Sequence, residues 1–250
     1  VREREIRIVD KTQVNTHHLV TLSPCHLKKT NMKIAVLGTG TVGNTIGSRL
    51  IELGHEVMMG SRSAENEKAV AFAANHSGGK AHAGTFADAV AFGDIIFNCT
   101  KGDGSIEALR SAEQLLAGKI IIDVSNPLDF SQGMPPSLIP ALSNTNSLGE
   151  EIQRTFPQSK VVKTLNTMWC GLMVNPNMIG GGDHTNFVCG NDNEAKGKVK
   201  SLLQEFGWKS ENLLDLGDIT CARGTEAVLP IWLRVWNATQ NGAFNFKVIS

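Results

Sequence analysis

The chain contains no tyrosine in its 250 residues. That removes every reduction mechanism in which a phenol gives up the proton, including the Tyr-x-x-x-Lys arrangement of short-chain dehydrogenases. Long apolar runs are missing as well, since no stretch approaches the roughly 18 uninterrupted apolar residues of a spanning helix. The chain does not open with the basic, apolar, small-residue order of a secretory signal. A cytoplasmic protein with no membrane partner is expected. Neither sign of charge is in excess, because 24 Lys and Arg offset 24 Asp and Glu; nothing cationic is left over to attract nucleic acid or anionic lipid. The five cysteines, Cys25, Cys99, Cys170, Cys189 and Cys221, are odd in number and form no C-x-x-C pair. A zinc site or redox dithiol is therefore disfavoured, and they are expected as small core residues in a reducing compartment.

What is present suffices for a real core. An apolar fraction of 41% over this length makes one large domain, or one domain with a small appendage. Residues 1–31 stand apart: Arg2, Arg4, Arg7, Lys11, Lys28 and Lys29 face only Glu3, Glu5 and Asp10, with no sustained period. This segment is expected to be an unstructured extension upstream of Met32, where Met-Lys-Ile-Ala-Val-Leu-Gly begins a strand at once. Its histidines His17, His18 and His26 lack the partners of a metal site.

From Lys33 strand and helix patterns alternate. Strands are predicted at Lys33–Leu37, His55–Met59, Ala81–Gly84, Asp94–Asn98 and Lys119–Val124, and helices at Val42–Leu53, Ala64–Asn75 and Ser105–Leu116. Near-continuous apolar strands suit parallel pairing with both faces covered. The order implies a Rossmann-type α/β fold, a doubly wound and mostly parallel sheet, over residues 32–146. A Pro-rich connection, 125–146, follows. Residues 147–250 are expected to form a compact C-terminal α/β lobe packed on the sheet, with helices at Leu148–Phe156, Glu194–Phe206 and Val228–Trp236 and strands at Lys160–Leu165, Asn186–Cys189 and Leu213–Leu216.

The strongest chemical signal is Gly38-Thr39-Gly40-Thr41-Val42-Gly43, set between the first strand and the first helix. Gly38 allows the tight turn, Gly40 lets backbone approach a pyrophosphate, and Gly43 lets helix and strand pack closely. The free N–H groups of the helix start then face the phosphates. At the end of the second strand, where an NAD enzyme places Asp or Glu, the chain has Gly60-Ser61-Arg62-Ser63. Arg62 can stack on adenine and pair with a 2′-phosphate, Ser61 and Ser63 can donate hydroxyls, and Lys68 can add charge. NADP(H) is therefore the expected cofactor. In such a sheet the nicotinamide lies across the carboxyl ends of the central strands, here Asn98-Cys99-Thr100 and Asn126-Pro127; core filling explains Cys99 equally well. Asn166-Thr-Met168-Trp169, and the glycines leading to Asp183 and His184, border the place of a second substrate.

The Gly38 loop with Ser61-Arg62, the Asn126-Pro127 turn, the run from Val162 to Thr167 and Gly190-Asn-Asp192 together resemble the coenzyme F420-dependent NADP reductases and their relatives, which include the cytoplasmic domains of membrane metalloreductases. The resemblance runs from Met32 to about Trp236. Around Gly180–His184 and Arg223–Glu226 it is to a bacterial branch rather than the archaeal F420 enzymes. It implies hydride transfer between NADPH and a small flavin-like or F420-type acceptor, with Asn166 orienting the acceptor or carboxamide and Met168 or Trp169 forming an apolar wall. His184 is the one titrating donor in reach, although a turn role is also open to it. An imine or pyrroline-carboxylate reductase is the second enzymatic reading, against which stands the missing helical C-terminal domain. A non-catalytic NADP sensor with a partner surface at Trp232, Arg234 and Trp236 is the third. A homodimer is left open.

Overall fold

A computed structural model of the protein describes residues 31–76 and 78–249. The extension expected over 1–31, with its histidines and Cys25, lies outside the described residues except for Asn31. The elements are β1 (Lys33–Leu37), α1 (Thr41–Glu52), β2 (Glu56–Ser61), α2 (Glu67–Asn75), β3 (Ala81–Thr85), α3 (Phe86–Phe92), β4 (Ile95–Asn98), α4 (Ser105–Arg110) and β5 (Ile120–Asp123). After these come β6 (Leu128–Asp129), β7 (Ser137–Leu138), α5 (Leu148–Thr155), β8 (Lys160–Thr164), α6 (Cys170–Val174), β9 (Asn186–Gly190), α7 (Asn193–Glu205), β10 (Leu213–Gly217) and α8 (Ala222–Thr239).

Eight strands form one sheet in the order β10-β9-β8-β5-β4-β1-β2-β3. The six from β8 to β3 run parallel, which is the expected doubly wound sheet. The strands also divide as the pattern requires: Ile34 and Val36 enter one apolar core, while Ala35 and Leu37 of the same strand enter the other. With both faces covered, β1, β4 and β5 have no polar side to show. Consequently the carboxyl ends of six strands gather along one edge.

Four features depart from the sequence reading. Helix α3 went unrecognised, although Thr85 and Asp88 form a reciprocal capping box, Asp88 N–H donating to Thr85 Oγ1 at 3.1 Å and Thr85 N–H to Asp88 Oδ2 at 2.9 Å. Helix α4 stops at Arg110 instead of reaching Leu116, and there the Ser111 hydroxyl donates to Ala108 O at 2.7 Å. The connection after β5 contains a two-residue antiparallel pair, β6 with β7. Strand β9 pairs antiparallel with β8, and β10 runs with β9. The connection between β8 and β9 carries only the five-residue α6 and short turns, with none of the long crossover helices that usually return a chain in parallel. Strands β8 to β10, beyond the connection ending at Asn146, thus extend the same sheet edge to edge.

Candidate functional site

The gathered strand ends enclose a groove of about 810 Å³, bordered by Gly38–Val42, Ser61, Arg62, Phe86, Cys99 and Thr100. A second hollow of about 490 Å³ lies between Arg62, Phe86 and the start of α4 and shares Arg62, Phe86 and Thr100 with it. The glycine loop is shaped by three different demands. Gly38 has φ +109°, and a Cβ there would lie 2.6 Å from Cys99 O. A Cβ on Gly43 would lie 2.0 Å from Gly38 O, so helix and loop touch backbone to backbone. A Cβ on Gly40 meets nothing within 4 Å, because Gly40 faces the open groove. Gly40 is also the N-cap of α1, with no side-chain cap and no acidic residue in the first turn. The N–H groups of a 12-residue helix therefore point, uncapped, toward the groove, which is the arrangement that accepts an anion.

Arg62 is exposed and overhangs both hollows, and among the described residues it has no hydrogen-bond or ion-pair partner. Its neighbours are engaged. Ser61 is buried, and its hydroxyl donates to Ser63 O at 2.5 Å. The Ser63 hydroxyl donates to Glu65 Oε2 at 2.5 Å. Sequence reasoning placed no carboxylate at this turn, yet the fold brings Glu65 onto it. The Ser63 hydroxyl and the Glu65 N–H hold the Glu65 carboxyl below the usual carboxylate range. Lys68 lies across the glycine loop, in a neighbouring hollow of about 400 Å³ with Thr39, Gly40 and Thr41.

At the other end of the groove the strand ends are tied together from beneath. Asn98 is fully buried; its Nδ2 donates to Asp123 Oδ1 at 2.9 Å and its Oδ1 accepts from the Thr100 hydroxyl at 2.6 Å. Asn98 therefore acts below the surface, and Thr100 and Cys99 line the groove. Enclosure, and then the charge of Asp123, push the Cys99 thiol far above its ordinary value. Pro127 is buried and Asn126 half-buried. The amide of Asn126 donates to Asn166 O at 2.9 Å, and Asn166 Nδ2 donates to Asn126 Oδ1 at 2.9 Å. Among the described residues Asn166 Oδ1, itself buried, has no partner. The loop ends after β5 and β8 are thus joined across the edge of the sheet.

The remaining candidates separate. Met168 is 5% exposed and belongs to the core, whereas Trp169 is 39% exposed and its ring packs over Gly171 and Gly242. His184 is 4% exposed; its Nε2 lies 2.9 Å from Pro176 O and its Nδ1 2.8 Å from the Asn245 amide nitrogen. Both ring nitrogens are thereby used inside the protein, as the Nε2–H tautomer, and the ring stands edge-on to Trp208. Trp232 stacks on Phe244 at 5.2 Å between ring centroids.

One cluster escaped sequence reasoning altogether. Lys163 is fully buried, and its Nζ reaches Asp123 Oδ2 at 2.8 Å, Glu226 Oε1 at 2.8 Å and Ser125 O at 2.6 Å. Glu226 in turn accepts the N–H groups of Leu148 and Gly149, the first residues of α5, at 2.9 and 3.0 Å. Burial alone would lower the Lys163 value, but Asp123 and Glu226 outweigh it and hold the ammonium above its ordinary range. The carboxyl of Glu226 is raised, because burial exceeds the attraction of Lys163. The signal was present: Asp123 and Lys163 are opposite charges at the ends of two strands, paired in register. One ammonium thus holds Asp123, which carries Asn98 and Thr100, and also the backbone just before Asn126. Among the described residues no group of three or more His, Cys, Asp or Glu could hold a metal ion, and no helix is long and apolar enough to cross a membrane.

Comparisons with known proteins bear on the family and the fold. The family model described as NADP oxidoreductase, coenzyme F420-dependent, matches residues 33–127. A solved structure from Arthrobacter sp. FB24, provisionally named an F420-dependent NADP reductase, is 50% identical, with a TM-score of 0.82 over 88% of this chain and 100% of that one. The F420-dependent NADP reductase of Methanocaldococcus jannaschii is 26% identical over 210 residues, 80% of this chain and 90% of the reductase. Metalloreductase STEAP3 of Rattus norvegicus is 29% identical over 206 residues, and there the chain spans only 38% of its relative's length.

Proposed function

The chain belongs to the coenzyme F420-dependent NADP oxidoreductases and is an NADP-dependent oxidoreductase, and from that premise we propose that it passes a hydride between NADP(H) and a flavin-like or F420-type acceptor. The residues present fit the dinucleotide. The uncapped start of α1 and the open face of Gly40 receive the pyrophosphate, with Thr39 and Thr41 beside it. Arg62 stacks on the adenine and pairs with the 2′-phosphate, and Ser61 shapes the turn that aims it. Lys68, across the loop, adds positive potential rather than a contact in the same hollow. Thr100 and Cys99 line the way to the nicotinamide.

When bound, the nicotinamide supplies the hydride. The Asn126–Asn166 amide pair ties the strand ends on which the ring would rest, and the buried Asn166 would act by holding that loop end in place. Trp169, exposed beyond it, offers a flat apolar wall for a second planar ring. What supports the acceptor reading is the lining of the larger groove, in which hydroxyls, a thiol and an amide stand with no His, Asp or Glu to relay a proton. Hydride passage between two stacked rings needs alignment more than proton relay, and alignment can lower a barrier by about 7–11 kcal/mol.

The test is the near-ultraviolet absorbance of NADPH, followed anaerobically with F420, flavin mononucleotide, a ferric chelate or a cyclic imine. Oxidation that depends on F420 or the flavin is expected. Oxidation that depends only on the imine, or binding without turnover on any acceptor, would overturn the reading.

A further inference from the structure

The turn Ser61-Arg62-Ser63 already holds an anion of its own. Ser63 Oγ accepts from the Glu65 N–H at 3.2 Å and donates to Glu65 Oε2 at 2.5 Å, while the Ser61 hydroxyl is spent on Ser63 O. Of the three side chains of this turn, Ser61 and Arg62 border the groove, and among the described residues Arg62 alone keeps its donors free. A hydroxyl has one hydrogen to give. Either the Glu65 carboxylate receives it, or a phosphate does.

We propose that Glu65 is a specificity-determining residue, which competes with the 2′-phosphate of NADP(H) for the Ser63 hydroxyl and so restrains the preference for the phosphorylated nucleotide. The proposal deepens the reading that this turn holds the 2′-phosphate and rests on it. A phosphate seated on Ser63 displaces the carboxylate from its hydrogen bond and then lies close to it. Two anions a few ångströms apart in water repel enough to change an affinity by about fivefold. Arg62 must overcome that repulsion as well as bind, whereas a nucleotide lacking the 2′-phosphate leaves Glu65 in place and meets no such opposition.

Calorimetric titration with 2′,5′-ADP and with 5′-AMP separates the effects in the wild type, Glu65→Gln and Arg62→Ala. The glutamine keeps an acceptor for Ser63 and loses the charge. Glu65→Gln is expected to bind 2′,5′-ADP about fivefold more tightly with 5′-AMP unchanged, and the gain should shrink at high salt. Affinity for 2′,5′-ADP that stays level or falls, or an equal gain for 5′-AMP, overturns the proposal. Arg62→Ala distinguishes the two layers. If it binds 2′,5′-ADP as tightly as the wild type, the turn is not the 2′-phosphate site and the reading beneath fails. If it binds weakly while Glu65→Gln is unchanged, the role of Glu65 alone is refuted.

Discussion

Replacing Lys163 by methionine removes the one cation from a cluster that also holds Asp123 and Glu226. All three side chains are sealed from solvent, at 0–2% exposure, so water cannot replace the lost ammonium. Breaking a buried ion pair by deleting one partner costs about 3–5 kcal/mol, because the other charge is left stranded. For a chain of this size each kcal/mol lowers the melting temperature by roughly 2–4 °C, so Lys163→Met should lower it by about 6–20 °C in thermal unfolding followed by circular dichroism. The loss should depend on pH. A carboxyl whose value is raised by burial, as for Glu226, favours the folded state while protonated, and that contribution fades as pH rises through the raised value. Without Lys163 the value climbs further, and the deficit should be smaller at about pH 5 than at about pH 8. Adding Glu226→Gln to Lys163→Met should cost less than the two single changes together. A drop in melting temperature below about 2 °C, or one that is the same at both pH values, would show that water reaches the cluster and that Lys163 is not its buried counter-ion.

Arg62→Ala should raise the KM for NADPH tenfold to a hundredfold, on the basis of about 1.5–3 kcal/mol for a charge-assisted contact, and raise that for NADH far less, through the lost adenine stacking alone; steady-state kinetics with both nucleotides decide it. Gly43→Ala and Gly40→Ala should part company. A methyl on Gly43 runs into Gly38 O at 2.0 Å and should destabilise the fold by about 1–3 kcal/mol, whereas Gly40→Ala has room, should melt like the wild type, and should bind NADPH more weakly because the methyl enters the path of the pyrophosphate. Equal melting of the two variants would contradict the close-packing account. Burial pushes the Asp215 carboxyl up, but Lys196, Lys200 and the Gly217 N–H outweigh it and hold it at about 2. A depressed carboxyl stabilises above its unfolded value near 4 and loses that contribution as pH falls through about 2. Asp215→Asn should thus cost about 1 kcal/mol at neutral pH, allowing for its partial exposure, and nothing at about pH 2; chemical denaturation across that range measures it.

The nucleotide half of this protein was readable because local rules and global fold agree there. Gly38, Gly40 and Gly43 each meet a separate steric demand that a lone sequence displays, and the apolar strands could only be parallel and covered. Beyond β5 the agreement weakens. Strand β9 reverses across a connection whose one α-helix, α6, has five residues, and so short a helix leaves little periodicity to read. Glu65 falls inside the helix expected over Ala64–Asn75, but the helix starts at Glu67 and the turn before it folds Glu65 onto Ser63. Asn98 and His184 looked like groove residues because position along a strand or loop says which edge a residue reaches, not whether its side chain is already spoken for. The Lys163 cluster depends on residues 40 and more apart in sequence, and only pairing in register makes Asp123 and Lys163 neighbours.

Direct transfer between two stacked rings fixes where the hydrogen goes. NADPH deuterated at C4 of the nicotinamide, turned over anaerobically with oxidised F420, should leave its deuterium on the deazaflavin ring, whose carbon-bound hydrogen does not exchange with water. Deuterium recovered in the solvent, or NADPH left unconsumed by F420 and flavin alike, would contradict direct hydride transfer in this groove.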